Sequence, residues 1–158
     1  MRADHDGTFA ATPSFGATHY ETGPLARQLA HPLLTSESAG LHERWRARLI
    51  ELALLLSDET RLHSVGLSPE PGHGIASAEA ARGTLIHRVE QRDGYVTRYQ
   101  IVAPTEWNFH PYGALSRSLA TLDSTDPHTL TQQARALITA IDPCVAFRIE
   151  IIGDTSDA

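Results

Sequence analysis

Two runs rich in Ile, Val, Leu, Thr and Tyr, Thr84 to Gln91 and Tyr95 to Ala103, flank the dipeptide Asp93-Gly94. Side chains of this kind suit a pleated surface. An Asp-Gly pair accepts the positive φ angles that a two-residue hairpin turn demands. The chain must therefore accommodate an antiparallel hairpin near its middle. Val96, Arg98, Gln100 and Val102 share one face, and Tyr95, Thr97, Tyr99 and Ile101 the other. Both faces carry apolar residues, so each calls for partial cover.

Helical periodicity supplies candidates for that cover. Leu41, Trp45, Leu49, Leu52 and Leu56 recur at helical steps, with Ser36 or Ser38 as a cap. The pattern predicts a core-facing stripe, with the charged residues between Glu43 and Glu51 turned outward. Pro24 opens a short helix at its first position, and a second short helix is expected over Gly113 to Leu122. Asp126 caps a longer helix that begins at Pro127. Its face is Leu130, Ala134, Leu137, Ile138 and Ile141, and Asp142-Pro143 ends it. Val145 to Ile152 alternates and predicts a last strand added to the hairpin. Ser68 to Gly74 holds two prolines and two glycines and predicts no regular structure. Gly72-x-Gly74 lacks the third glycine and the preceding strand of a phosphate cradle. The fold class is thus α+β: a few helices packed on a small antiparallel sheet with a central β-hairpin. Residues 1–19 read as a flexible arm, 20–152 as one domain and 153–158 as a frayed tail.

Charge and cysteine usage narrow the function classes. Thirteen basic residues, all Arg, face nineteen acidic ones, a formal net charge of -6. An acidic chain with no basic patch argues against nucleic acid and anionic membrane as main partners. No apolar stretch approaches the ~20 residues of a membrane span. Neither does an apolar leader follow the polar start, so a soluble cytoplasmic protein is expected. The single cysteine, Cys144, forms no internal disulfide and no multi-thiolate metal site. The nine histidines are scattered, with no i, i+4 pair.

Five segments, in order, resemble the C-terminal half of the large subunit of nickel–iron hydrogenases. Glu21-Thr22-Gly23-Pro24-Leu25-Ala26-Arg27 is similar to that family's E-V-G-P-L-A-R. Gly72-His73-Gly74, Glu79-Ala80-Ala81-Arg82-Gly83 and His87 are similar to its G-x-G, E-A-P-R-G and H. Tyr99-Gln100-Ile101-Val102 lies within a strand, as in the family. Pro104-Thr105-Glu106-Trp107-Asn108 is similar to P-T-T-W-N, and Asp142-Pro143-Cys144 opens D-P-C-x-x-C-x-x-H. The family holds nickel and iron with four thiolates. Here Phe147 stands where the second cysteine of the last motif belongs, Glu150 stands at the final His, and the first cysteine pair is missing. The resemblance therefore implies no complete nickel–iron site.

What remains implies a narrower role. By the resemblance, Arg82 and Thr105 match residues beside the cyanide and carbonyl ligands of iron, and Cys144 matches a metal ligand. Guanidinium and hydroxyl donors suit cyanide nitrogens, and a thiolate suits soft iron. The pattern resembles hydrogenase expression/formation accessory proteins of the HupK/HoxV type. Those imply a non-enzymatic scaffold in hydrogenase maturation that carries an iron–dicyanide–carbonyl unit in transit. Its partners would be other maturation proteins and the immature large subunit. Since only one half of such a subunit is represented, an uncovered apolar surface is expected, and with it a homodimer or an obligate partner.

Each residue also has a structural reading. Cys144 is then a small buried hydrophobe, and Arg82 bridges loop carbonyls or a carboxylate such as Glu79. Thr105 satisfies a turn after Pro104. Asn108 bonds backbone groups, and Glu21 pairs with Arg27. With these readings goes a second function, a cofactor-free interaction module that mimics the large-subunit surface. A hydrolase built on Cys144 finds no motif that sets a base beside it.

Overall fold

The computed structural model describes residues 8–34 and 39–152. Their helices are α1 (Thr8–Ala11), α2 (Pro24–Gln28), α3 (Leu41–Leu56), α4 (Pro104–Asn108), α5 (Ala114–Leu119) and α6 (Pro127–Ile141). Their strands are β1 (Ser64–Leu67), β2 (His73–Ala80), β3 (Gly83–Arg92) and β4 (Tyr95–Val102). The strands form one antiparallel meander in the order β1-β2-β3-β4, so the fold is α+β.

The central hairpin is β3–β4. Asp93 and Gly94 take φ of 51° and 81°, the mirror-type turn that matches strand twist, and a register shift falls between Glu90 and Gln91. A second hairpin joins β2 to β3 through Ala81-Arg82, with Ala80 opposite Gly83. The expectation that Ser68 to Gly74 lacks regular structure fails at its end, because His73 and Gly74 begin β2. Gly74 is accepted there for a steric reason. A Cβ would meet Val89 on the neighbouring strand at 3.0 Å.

The helices gather at the end of the sheet where β2 turns into β3 and β4 runs into α4. Two apolar clusters hold them. Leu25, Leu34, Ala47 and Ile50, with Leu54, join α2 to α3. Leu115, Ile138 and Ile141, with Phe109, Leu119 and Ile149, join α5 to α6. The α6 cap is as expected: the Asp126 carboxylate accepts from the amides of His128 and Thr129. These bonds, those from Thr129 first, hold the Asp126 pKa below the usual carboxylate value. At the other end Asp142, barred from α geometry by Pro143, adopts a left-handed conformation with φ 66°. α3 follows Gly40 with no side-chain cap; Ser36 and Ser38 lie outside the described residues, as does the tail.

Two further expectations are overturned. Val145 to Ile152 forms no strand. Ile149 packs against the α5–α6 cluster instead, which holds the segment to the helices. α3 is a helix over the expected span but faces the other way. Trp45, Leu49, Leu52 and Leu56 are 44%, 66%, 54% and 79% exposed, whereas Arg44 and Glu51 are buried at 2% and 5%.

Candidate functional site

The inward charges of α3 are paired with distant partners, and only Arg44 Nη1 among their buried polar atoms finds none. Arg44 donates to both carboxylate oxygens of Glu21, at 2.9 and 2.7 Å. Glu51 accepts two bonds from Arg27, at 2.6 and 2.8 Å. Arg27 also donates to Glu79 at 2.6 Å and to the Ala80 carbonyl at 3.2 Å. Burial works against the Arg27 charge, but hydrogen bonds and attraction to Glu51 and then Glu79 outweigh it and raise its pKa. The expected Glu21–Arg27 pair is thus replaced by a Glu21–Arg44 pair and by Arg27 bridging Glu51 and Glu79. Glu79, taken by Arg27 and by the Thr84 hydroxyl at 2.6 Å, is not the partner of Arg82.

This network fixes the loop Glu21-Thr22-Gly23 against the β2–β3 turn. Gly23, at φ 113°, approaches the Arg82 carbonyl so closely that a Cβ would lie 2.9 Å from its oxygen. Gly83, at φ 139°, leaves room for Thr22. Buried Asn108, at the end of α4, staples both. Its Oδ1 accepts from the Thr22 amide at 2.8 Å, and its Nδ2 donates to the Arg82 carbonyl at 3.1 Å. The loop, the turn and the start of α4 are therefore one connected unit.

On that unit Thr105 meets Cys144, and Arg82 joins the same segment through Asp142. Thr105, in the first turn of α4, sets its Oγ1 2.9 Å from the Sγ of Cys144, which leaves α6 39 positions later. Arg82 forms an ion pair with Asp142, its Nε 3.0 Å from the carboxylate, two residues before Cys144. Arg48 from α3 approaches the same carboxylate at 3.6 Å. Burial pushes the Arg48 pKa down; Asp142 opposes the shift and neighbouring Arg82 adds to it. Cys144 is exposed, which sets aside its reading as a buried hydrophobe. Of the other positions of the last motif, Phe147 lies near Arg135 with the guanidinium 5.9 Å from its ring. Glu150 pairs with Arg148 at the surface.

The donor set decides what such a site can hold. Among the described residues no three His, Cys, Asp or Glu side chains gather around a metal-sized space. A bimetallic centre bridged by four thiolates does not fit. An exposed thiol with a hydroxyl and a guanidinium nearby fits a single soft metal bearing acceptor ligands. Sequence reasoning missed Asp142 and Arg48. The Asp-Pro step reads from sequence as a helix stop and as the opening of the last motif, but not as the place where a left-handed Asp pairs with Arg82 and Arg48.

These features define a domain like part of a hydrogenase large subunit, with Cys144 kept in its last motif and Phe147 and Glu150 at the other ligand positions. The chain belongs to the nickel-dependent hydrogenase family, which residues 38–149 match. Within it, the chain is similar to the hydrogenase expression/formation protein HupK of Rhizobium leguminosarum bv. viciae. The two are 33% identical over 161 residues, covering 95% of this chain and 43% of that protein. Similarity to the hydrogenase expression/formation protein HoxV of Cupriavidus necator is also 33%, over 174 residues, 97% of this chain and 44% of that one. The hydrogenase-1 large chain of Escherichia coli is 34% identical over 92 residues, 54% of this chain and 15% of that protein. The chain spans less than half the length of these relatives. No helix among the described residues is long and apolar enough to cross a membrane.

Proposed function

We propose that this chain is a non-catalytic accessory protein of nickel–iron hydrogenase maturation, acting in the cytoplasm as a scaffold. It would carry an iron fragment with cyanide and carbonyl ligands as cargo. The observation that carries the reading is the approach of Thr105 to Cys144, with Arg82 anchored to Asp142 beside it. When bound, such iron supplies a soft Lewis acid for a thiolate. Cys144 would hold the metal, while Thr105 and Arg82 donate hydrogen bonds to cyanide nitrogens. One thiolate gives a hold that can be exchanged, as a carrier needs. The names of the similar HupK and HoxV proteins support the maturation role. The partners of this chain would be other maturation proteins and the immature large subunit.

The test is anaerobic reconstitution with the assembly proteins followed by infrared spectroscopy. Cyanide and carbonyl bands should appear on this protein and vanish in Cys144→Ala. Absence of any band removes the carrier role. A second reading, the cofactor-free interaction module, is favoured by the uncovered face of α3. It predicts that Cys144→Ala leaves hydrogenase maturation intact in cells, whereas substitutions on that face abolish it.

A further inference from the structure

Four charged side chains line one small cavity. It lies where α3, the loop Glu21-Thr22-Gly23, the β2–β3 turn and the end of α6 meet, and its volume is about 10 Å³. That is room for about one water-sized particle. The charged groups in its wall are Glu21, Arg44, Arg48 and Arg82. The Arg44 side chain is 2% exposed, and beyond its two bonds to Glu21 its Nη1 is buried with no partner among the described residues. Arg44 also borders a wider open groove beside Tyr20 and Leu29. Nη1 is closed to solvent, so the cavity side is where it can gain a partner.

Arg48 is a second cation short of a counter-charge. Asp142, the carboxylate it pairs with, is 3.6 Å away, beyond hydrogen-bond reach, and is shared with Arg82. Burial accordingly outweighs Asp142 and pushes the Arg48 pKa down. Around the cavity three guanidiniums thus face two carboxylates, Glu21 and Asp142, a local excess of one positive charge. Arg27, Glu51 and Glu79 form a separate knot and do not line the cavity.

The chemistry of the wall selects the occupant. A guanidinium offers donors and no acceptor, and both oxygens of Glu21 already accept from Arg44. A water wants acceptors as well as donors around it. A monoatomic anion wants donors alone and supplies the missing charge. We propose that this cavity is a binding site for a single halide-sized anion, held by Arg44 Nη1 and Arg48 with Arg82 at its edge. Carboxylates and larger oxyanions exceed its volume. Bound there, the anion ties α3 to the loop beneath Arg82 and to the end of α6. It requires neither Cys144 nor any cargo on it.

Bromide and chloride are the probes. In crystals of the intact chain grown in sodium bromide, anomalous diffraction at the bromine edge should give a peak in the cavity, within reach of Arg44 and Arg48. In solution, sodium chloride should raise Tm above sodium gluconate of the same ionic strength, by about 3 °C or more at tenfold excess over its Kd. Arg48→Gln, a change at a partly exposed side chain, should abolish that difference. Arg61→Gln, which removes an exposed cation elsewhere, should keep it. The proposal is overturned if the cavity shows no anomalous peak, as it would with water there, or if chloride and gluconate give the same Tm. It is equally overturned if Arg48→Gln folds and keeps the full difference. The crystal and the parent titration decide the matter even where Arg48→Gln does not fold.

Discussion

Asn108 offers the sharpest check on how the candidate site is assembled. Its side chain is 3% exposed and joins the Thr22 amide, the Thr22 hydroxyl and the Arg82 carbonyl, three groups from two remote segments. Asn108→Ala strands one backbone donor and one backbone acceptor. Both are only partly buried, so each costs about 1 kcal/mol, the low end for an orphaned polar group. The truncated side chain leaves a small void worth roughly another 1 kcal/mol. The sum, about 3 kcal/mol, is a large share of a typical domain stability. For a chain of this size it corresponds to a fall in Tm of about 6–12 °C. Urea unfolding measures the free energy, and amide exchange at Thr22 reports the local loss. Asn108→Asp separates geometry from size. It keeps the acceptor for Thr22 but turns an oxygen toward the Arg82 carbonyl, so it should cost at least as much as the alanine change. A loss under about 1 kcal/mol for alanine, or an aspartate variant as stable as the parent, would refute the staple.

Three further outcomes follow from the same geometry. Arg27→Ala leaves the buried Glu51 carboxylate without its cation and should cost about 3 kcal/mol or more, whereas Arg61→Ala, which breaks an exposed pair with Asp58, should cost under about 0.5 kcal/mol by the same urea titration. Gly83→Ala drives a methyl into the Thr22 side chain at a positive φ and should lower Tm more than Gly94→Ala, whose added carbon meets nothing. His110, buried and stacked on His19 at 3.9 Å, accepts from the Tyr112 amide through Nδ1, and burial, then His19, push its pKa down. The unfolded chain then takes up a proton at a higher pH than the fold does. Stability should therefore be complete above about pH 6.5 and fall as pH drops from there toward the lowered pKa; His110→Gln should flatten the slope, and an unchanged slope would refute it.

Local rules read well wherever the determinant is local. The Asp93-Gly94 turn, Pro24 and Pro127 at helix starts, the Asp126 cap and the Asp142-Pro143 stop are each settled by neighbours in sequence. The proximity of Thr105 to Cys144 was legible for another reason. Arg82, Thr105 and Cys144 sit in motifs whose glycines and Asn108 exist to pack those motifs together, so likeness of motif carries likeness of position. The last strand was not legible. Alternation shows that a segment can pleat, but pairing needs a free edge within reach, and Ile149 is claimed by the α5–α6 cluster.

The misreading of α3 has a more instructive cause. Periodicity locates an apolar stripe but does not say which neighbour buries it. Within this chain the opposite side won, because two buried charges of α3 find partners only there. Glu51 requires Arg27, Arg44 requires Glu21, and half-buried Arg27 also pairs with Glu79. Turning the leucines inward would pull Arg44 and Glu51 off those partners and leave Glu21 and Arg27 with charges half-buried and unmatched, at about 3 kcal/mol or more per broken pair. Those same pairs position the loop Glu21-Thr22-Gly23 under Arg82. Thus the orientation that builds the site is the one that leaves Trp45, Leu49 and Leu52 outward, and the site and the uncovered apolar face are two sides of one helix. A substitution that inverts α3 should therefore damage both, while one confined to Leu49 should touch only the uncovered face. Hydrogen exchange at the Thr22 amide in Leu49→Asp distinguishes the two, and loss of protection there would show that the faces are not separable.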